Sequence, residues 1–168
     1  MTHPTINETT ERVSGFHQGQ VDKLGAPYYF HPMRVMMRLG PDATDAEKHA
    51  ALLHDTIEDV PDVTPARLRE LGYADEVLAM VDLLTRPKPM PYHEFIDRII
   101  ASGNHGAMRI KLADLYDNTN GERLSGAAEE VREKLMAMSK NRYQPAIEKL
   151  QLALGDLADT IISGAIHG

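Results

Sequence analysis

The chain has 168 residues, a formal net charge of −7 and no cysteine. This length suits one domain with a substantial core, and the lack of cysteine excludes disulfides and thiolate metal sites. The negative charge argues against non-specific nucleic-acid binding. There is neither an apolar run of about 18 residues nor a signal-peptide pattern. We therefore expect a cytoplasmic protein that binds neither nucleic acid nor a membrane, while its oligomeric state cannot be read.

Apolar residues recur with a helical period almost throughout the chain, and no alternating segment of strand length stands out. A Pro-rich loop occupies 86–91, and long loops of this kind are often functional. The pattern therefore predicts an all-α fold in which residues 1–168 form a single multi-helix domain. Helices are predicted at 6–20, 31–39, 44–57, 64–71, 74–85, 92–102, 106–118, 122–141 and 144–163.

The charged pair His54–Asp55 interrupts the apolar run of the third predicted helix. Burying an ionised Asp beside an imidazole is costly unless something compensates for it. A metal ion compensates well, because both side chains are ordinary ligands. Glu58 follows His54 by four residues and Asp59 follows Asp55 by four, so a continuous helix would stack each pair on one face. One helix end thus offers two candidate ligands and two further carboxylates.

Two other segments offer candidate ligands for the same ion. His31 precedes a proline at a predicted helix start, and Asp114 lies in an apolar helical run with Asn118 one turn later. Two His and two Asp side chains would suit Mn²⁺ or Fe²⁺, with Zn²⁺ as a further option. Coordination positions that the protein leaves open could hold a water molecule. The metal lowers the pKa of this water, so that it can act as a nucleophile. Glu58 and Asp59 could then serve as general acid and base.

Each of these residues taken alone has a simpler interpretation. His31 could be a cap or loop residue, and Asp114 could pair with Lys111 three residues earlier. Glu58 and Asp59 could be a solvated helix end, although acidic residues there oppose the helix dipole. Spacing by itself does not join the segments into one site.

Taken together, three stretches resemble the HD superfamily of metal-dependent phosphohydrolases. In finer detail they are similar to the hydrolase domain of the RelA/SpoT homologues and to the small alarmone hydrolases. The stretches occur in the family's order and span most of the chain. They are GAPYYFHP at 25–32, LHDTIED at 53–59 and KLAD followed by Asn118 at 111–118.

This resemblance implies an HD-type helical bundle with a mononuclear metal site, usually occupied by Mn²⁺. It implies that Glu58 and Asp59 serve hydrolysis of a 3′-pyrophosphate. The expected reaction releases pyrophosphate from the 3′ position of guanosine 3′,5′-bis(diphosphate), ppGpp, a small anionic nucleotide. The implied metal ligands are His31, His54, Asp55 and Asp114.

Substrate contacts are predicted at four further positions. Asn118 matches the family's substrate-contacting Asn, and Lys23 could meet a phosphate or a base. Arg142 could bind phosphate and Tyr143 could offer a stacking face, although a surface Arg beside a packing Tyr is an equal alternative. Asp117 stands where the family usually has His, which leaves the base open between guanine and adenine.

Two other functions remain as alternatives. The first is hydrolysis of another nucleotide, such as an adenine alarmone or a dinucleotide phosphate. The second is a non-catalytic nucleotide-binding module, against which the intact Glu58 and Asp59 count, because a binder has no need of them. We expect His17 and His49 to be exposed helical residues with no part in the site.

Overall fold

The computed structural model describes residues 3–164, and their regular structure is helical. A π-helical turn, Ser139–Tyr143, joins the last two α-helices, and a 3₁₀ helix, Gly155–Thr160, follows. Within the described residues no strand forms apart from an isolated bridge between Val21 and Pro27, so the all-α prediction is confirmed. The α-helices are α1 Ile6–Phe16, α2 Phe30–Arg38, α3 Asp45–Leu53, α4 Thr56–Asp59, α5 Pro65–Glu70, α6 Asp75–Leu84, α7 Tyr92–Ala101, α8 His105–Asn118, α9 Gly121–Leu124, α10 Glu129–Met138 and α11 Gln144–Leu154.

Several predicted helices are shorter or broken. The first ends at Phe16, and the chain then turns through Gly19 at φ +80°. The last α-helix ends at Leu154 because Gly155 adopts φ +55°, a backbone conformation that favours glycine. The predicted helices 44–57 and 122–141 are each split in two, at His54–Asp55 and at 125–128.

Helices α3 and α8 form the centre of the core. Helix α3 packs against α1, α2 and α6, and α8 packs against α2, α6 and α11. The segment 50–53 is fully buried, as are Leu112, Ala113 and Leu115 of α8. A polar side chain on the inward faces of these two helices is therefore held deep in the protein, and Asp114 of α8 lies there beside His31 of α2 and His54 at the end of α3.

None of the helices in residues 3–164 combines the length and the apolar character that crossing a membrane requires. The prediction that residues 1–168 form a single domain stays a prediction.

Candidate active site

A cavity of about 370 Å³ opens between the start of α2, the α3–α4 junction, α8 and the π-helical turn. Its size is in the range of small-molecule sites. Of the predicted site residues, His54 and Asp59 are not among those that line it. Those that do are Lys23, His31, Asp55, Glu58, Asp114, Asn118, Arg142 and Tyr143.

The four predicted metal ligands converge at one end of this cavity. His31 Nε2 lies 3.2 Å from Asp114 Oδ1 and 3.6 Å from Asp55 Oδ2. His54 Nε2 lies 3.0 Å from Asp55 Oδ2 and 3.8 Å from Asp114 Oδ1. Ligands bound to one ion at about 2.0–2.2 Å have separations of this order. The structure therefore contains a candidate His/Asp metal site.

Both imidazoles present Nε2 to this point because Nδ1 is held elsewhere. His54 Nδ1–H donates to the Ala51 carbonyl oxygen at 2.8 Å, and its buried Nε2 has no partner with hydrogen-bond geometry among the described residues, although Asp55 Oδ2 lies 3.0 Å away. His31 Nδ1 lies 2.8 Å from Asp117 Oδ2, so this N–H donates to a carboxylate. Metal-binding His residues are commonly oriented in this way through the other ring nitrogen. The orphaned Nε2 atom fits a metal ligand.

The charges of the cluster also fit a cation. Burial lowers the pKa of His54, but Asp55 and Asp114 raise it to about 9. Burial raises the pKa of Asp114, yet Lys111 and the two imidazoles hold it well below its usual range. The carboxylates thus stay ionised, and protons gather on the imidazoles. A divalent ion can replace these protons, because His binds metals in its neutral form.

Two residues fix the carboxylates within this cluster. Tyr28 Oη–H donates to Asp55 Oδ2 at 2.5 Å, and Lys111 Nζ donates to Asp114 Oδ2 at 2.7 Å. The predicted alternative, an Asp114–Lys111 pair, therefore coexists with the ligand geometry. The Asp55 side chain is 27% exposed, against 5% for Asp114. Asp55 is accordingly the candidate ligand that faces the cavity most openly.

Asn118, predicted to contact substrate, has a partner within the protein. Its Nδ2 donates to Asp114 Oδ1 at 2.6 Å, the oxygen that faces His31. Asn118 also lines the cavity and is half-buried. It is placed to position Asp114 as well as to meet a ligand.

Glu58 and Asp59 lie on the short helix α4, beyond the break at His54–Asp55. The single continuous helix predicted for 44–57 is therefore wrong at this point. Both carboxylates are exposed. Glu58 lines the cavity and accepts a hydrogen bond from the Arg86 backbone N–H. Asp59 accepts one from Gln20 Nε2 at 3.0 Å and lies off the cavity wall.

Aromatic and basic side chains form another part of the cavity wall. The Arg142 guanidinium is 3.9 Å from the centroid of the Tyr92 ring, and its buried Nε has no hydrogen-bond partner among the described residues. Tyr143 is buried and packs edge-on against the Tyr92 ring, with 6.1 Å between the two ring centroids. Lys23 is exposed at the rim.

Sequence reasoning gave Tyr28 no role of its own and related Asp117 only to the choice of base, whereas the structure shows each bonded to a candidate ligand. Asp117 lies three residues after Asp114 on α8, a spacing that could have shown both on one helix face. The exposure predicted for His17 and His49 is wrong. His17 is 2% exposed and packs on the Tyr28 ring, and His49 is 8% exposed with Nδ1 2.9 Å from Thr9 Oγ1.

Comparison with known proteins identifies relatives with two kinds of name, guanosine-3′,5′-bis(diphosphate) 3′-pyrophosphohydrolase and GTP pyrophosphokinase. No protein-family model matches the chain. It is 30% identical over 159 residues to a guanosine-3′,5′-bis(diphosphate) 3′-pyrophosphohydrolase of Aquifex aeolicus, covering 88% of this chain and 22% of the relative. It is 37% identical over 107 residues to the mouse 3′-pyrophosphohydrolase MESH1, covering 60% of this chain. The chain thus matches about a fifth of the first relative's length and 59% of the second's.

The fold has a counterpart among solved structures. A metazoan SpoT orthologue, described as hydrolysing ppGpp and acting in starvation responses, superposes with a TM-score of 0.64 at 23% identity. The match covers 92% of this chain and 99% of that one. The sequence relatives and the shared fold confirm the predicted resemblance to the HD-type, RelA/SpoT-like hydrolases.

Proposed function

We propose that the protein is a metal-dependent hydrolase that removes pyrophosphate from the 3′ position of ppGpp. One observation carries this proposal. The four side chains His31, His54, Asp55 and Asp114 converge at one end of a cavity that Glu58 also lines. The relatives named as 3′-pyrophosphohydrolases support the choice of reaction.

We propose Mn²⁺ as the ion held by these four ligands. A nitrogen and oxygen donor set without thiolates suits Mn²⁺, and Fe²⁺ or Zn²⁺ could take its place. When bound, the ion would acidify a water and polarise the phosphoryl group under attack. Lys111 holds the outer oxygen of Asp114 by a hydrogen bond, and Tyr28 donates to Asp55 Oδ2, the oxygen that also faces the two imidazoles, so both carboxylates keep their orientation.

Glu58 is the proposed proton-transfer group. The residue lines the same cavity as three of the four ligands, and the Arg86 backbone N–H fixes one carboxylate oxygen. The exposed carboxylate exchanges protons readily with solvent between turnovers. Asp59, the next residue, is proposed to assist from the rim, where Gln20 holds it.

The charges of the cavity favour a substrate with several phosphates. Lys111 is paired with Asp114, and Arg123 is paired with Asp22 and Asp117. Three other lining cations form no ion pair among the described residues, and they are proposed to bind phosphate oxygens. They are Lys23, Arg86 and Arg142.

The aromatic wall is the proposed nucleoside site, with Arg142 stacked on Tyr92 and Tyr143 at their edge. Asn118 lines the same cavity and is bonded to Asp114, and its amide is proposed to reach a ribose as well. Asp117 does not select the base. It is fully buried, and His31 and arginine side chains occupy both of its oxygens. We keep guanine as the proposed base and the cytoplasm as the proposed location.

The test is a substrate panel with purified full-length protein and Mn²⁺. Its members are ppGpp, the adenine analogue, GDP and a simple phosphomonoester at equal concentration, with products separated by chromatography. We expect GDP and pyrophosphate from ppGpp, release slower by about 10²–10⁴ with the Glu58→Gln variant, and no release in excess chelator. Preference for a monoester or for GDP would refute the 3′-pyrophosphate assignment. Binding of ppGpp without turnover would favour the non-catalytic alternative.

A further inference from the structure

The carboxylate of Asp117 is completely buried behind the metal ligands, on the last turn of α8. It accepts a hydrogen bond from His31 Nδ1 at 2.8 Å, from Arg34 Nε at 2.9 Å and from Arg123 Nη1 at 2.6 Å. Arg34 Nη2 adds a second bond at 3.0 Å, and Arg38 Nη2 lies at 3.4 Å. Every neighbour is a donor, so the group acts as an ionised carboxylate, which only accepts.

This arrangement determines which nitrogen of His31 is free. Because Asp117 only accepts, the proton between them belongs to His31 Nδ1. In the neutral ring, which is the form that binds a metal, the lone pair of Nε2 then faces Asp114 Oδ1 and Asp55 Oδ2. If the His31 ring were flipped, or if Nε2 carried the proton and Nδ1 did not, Nε2 could not bind a metal at this point.

The two imidazoles differ in what holds them. The Nδ1–H of His54 donates to a backbone carbonyl three residues earlier, a contact made within its own helix. The Nδ1–H of His31 depends on a charged side chain 86 residues away. An ionised partner also makes the imidazole a stronger donor to a metal than a carbonyl partner does. The His31 position is therefore the one that a distant substitution can weaken.

We propose that Asp117 is a positioning residue that holds His31 in its metal-binding tautomer. Three arginines hold Asp117 in turn: Arg34 and Arg38 from α2, and Arg123 from α9. Arg123 also binds Asp22 in the loop at the cavity rim, at 2.8 Å. Asp117 thus links the orientation of one metal ligand to the loop that borders the substrate. This inference rests on the proposed function for the identity of the metal ligands.

The test compares Asp117→Asn with Glu47→Gln. Glu47 forms another buried ion pair, with Arg109 at 2.5 Å, and does not line the cavity. Both variants remove one buried carboxylate charge and keep its size, so both should lower the melting temperature in chelator. Asparagine can turn its NH₂ toward Nδ1 and impose the wrong tautomer. We expect Asp117→Asn to bind Mn²⁺ roughly 10–100-fold more weakly and Glu47→Gln to bind it like the wild type.

Equal Mn²⁺ affinity in Asp117→Asn and the wild type would overturn the proposal, as would an equal loss in Glu47→Gln. A second measurement needs no variant. Nitrogen-15 spectra of the imidazoles in wild-type protein loaded with diamagnetic Zn²⁺ should show His31 protonated on Nδ1 and bound through Nε2. Coordination through Nδ1 would also overturn it. If metal binding depends on Asp117 but the protein does not hydrolyse ppGpp, the proposed substrate is refuted and the role of Asp117 stands.

Discussion

Metal binding should stabilise the folded protein, because the ligands come together only when it folds. His31, His54 and Asp114 belong to α2, the end of α3 and α8, and the unfolded chain cannot hold them around one ion. A ligand that binds only the folded state adds about 2.7 kcal/mol when its concentration is 100 times its Kd. For a chain of this length, that corresponds to a rise of roughly 5–11 °C in Tm.

The assay is thermal unfolding by calorimetry, first in chelator and then with Mn²⁺ at that concentration. His54→Gln should lose most of the rise, because it removes the buried Nε2 atom that has no partner with hydrogen-bond geometry among the described residues. His93→Gln is the matched control, since the His93 side chain is 73% exposed and lies outside the cavity lining. It should keep the full rise.

Two results would refute this reasoning. One is a Tm that does not differ between chelator and saturating Mn²⁺ in the wild type. The other is a rise in His54→Gln as large as in the wild type, which would place the ion somewhere other than the point where the two Nε2 atoms meet.

Further predictions concern catalysis, substrate binding and pH. Glu58→Gln should lower kcat by about 10²–10⁴ at unchanged Mn²⁺ affinity, and Asp59→Asn by less, because Asp59 lies off the cavity wall; wild-type kcat in both would refute the proton-transfer role. In steady-state kinetics Arg142→Met should raise KM for ppGpp, whereas the exposed control Lys134→Met should not. Equal KM values for Arg142→Met and the wild type would exclude a phosphate contact by Arg142. Burial lowers the pKa of His49, so the unfolded chain takes up its proton first and stability is lost as pH falls below about 6.5. His49→Gln should therefore flatten this loss in denaturant titrations, and an unchanged slope would contradict it.

The candidate metal ligands could be singled out from the sequence because the evidence for each was local. His54, Asp55 and Asp114 stood out as charged or imidazole side chains in apolar helical runs, His31 as an imidazole before a proline at a helix start, and only the resemblance joined the three segments. The same local reasoning failed at the break between α3 and α4. Nothing in the residue pattern stops a helix there, yet Asp55 adopts φ −101° and ψ −6° while its carboxylate faces two imidazoles and Tyr28. These contacts come from distant segments and do not appear in a helical period.

The positioning roles of Tyr28 and Asp117 were missed for the same reason. Tyr28 and Asp55 are 27 residues apart, and Asp117 and His31 are 86 apart. His17 was assigned to a helix that in fact ends at Phe16, so its ring turns inward onto Tyr28 instead of facing solvent. Such pairings depend on how the helices pack, which one sequence does not reveal.

The two buried aspartates of α8 show why the metal is expected at one point and not at another. Asp117 has several arginine N–H donors within 3.4 Å, together with one imidazole, so a cation would find its oxygens already occupied. Asp114 has a single charged Lys partner, on Oδ2, and its Oδ1 faces His31 and His54. Apart from the two imidazoles, the Tyr28 hydroxyl is the one side-chain donor that Asp55 has among the described residues. The unmet negative charge is therefore concentrated between the two Nε2 atoms, where a divalent ion compensates for it best.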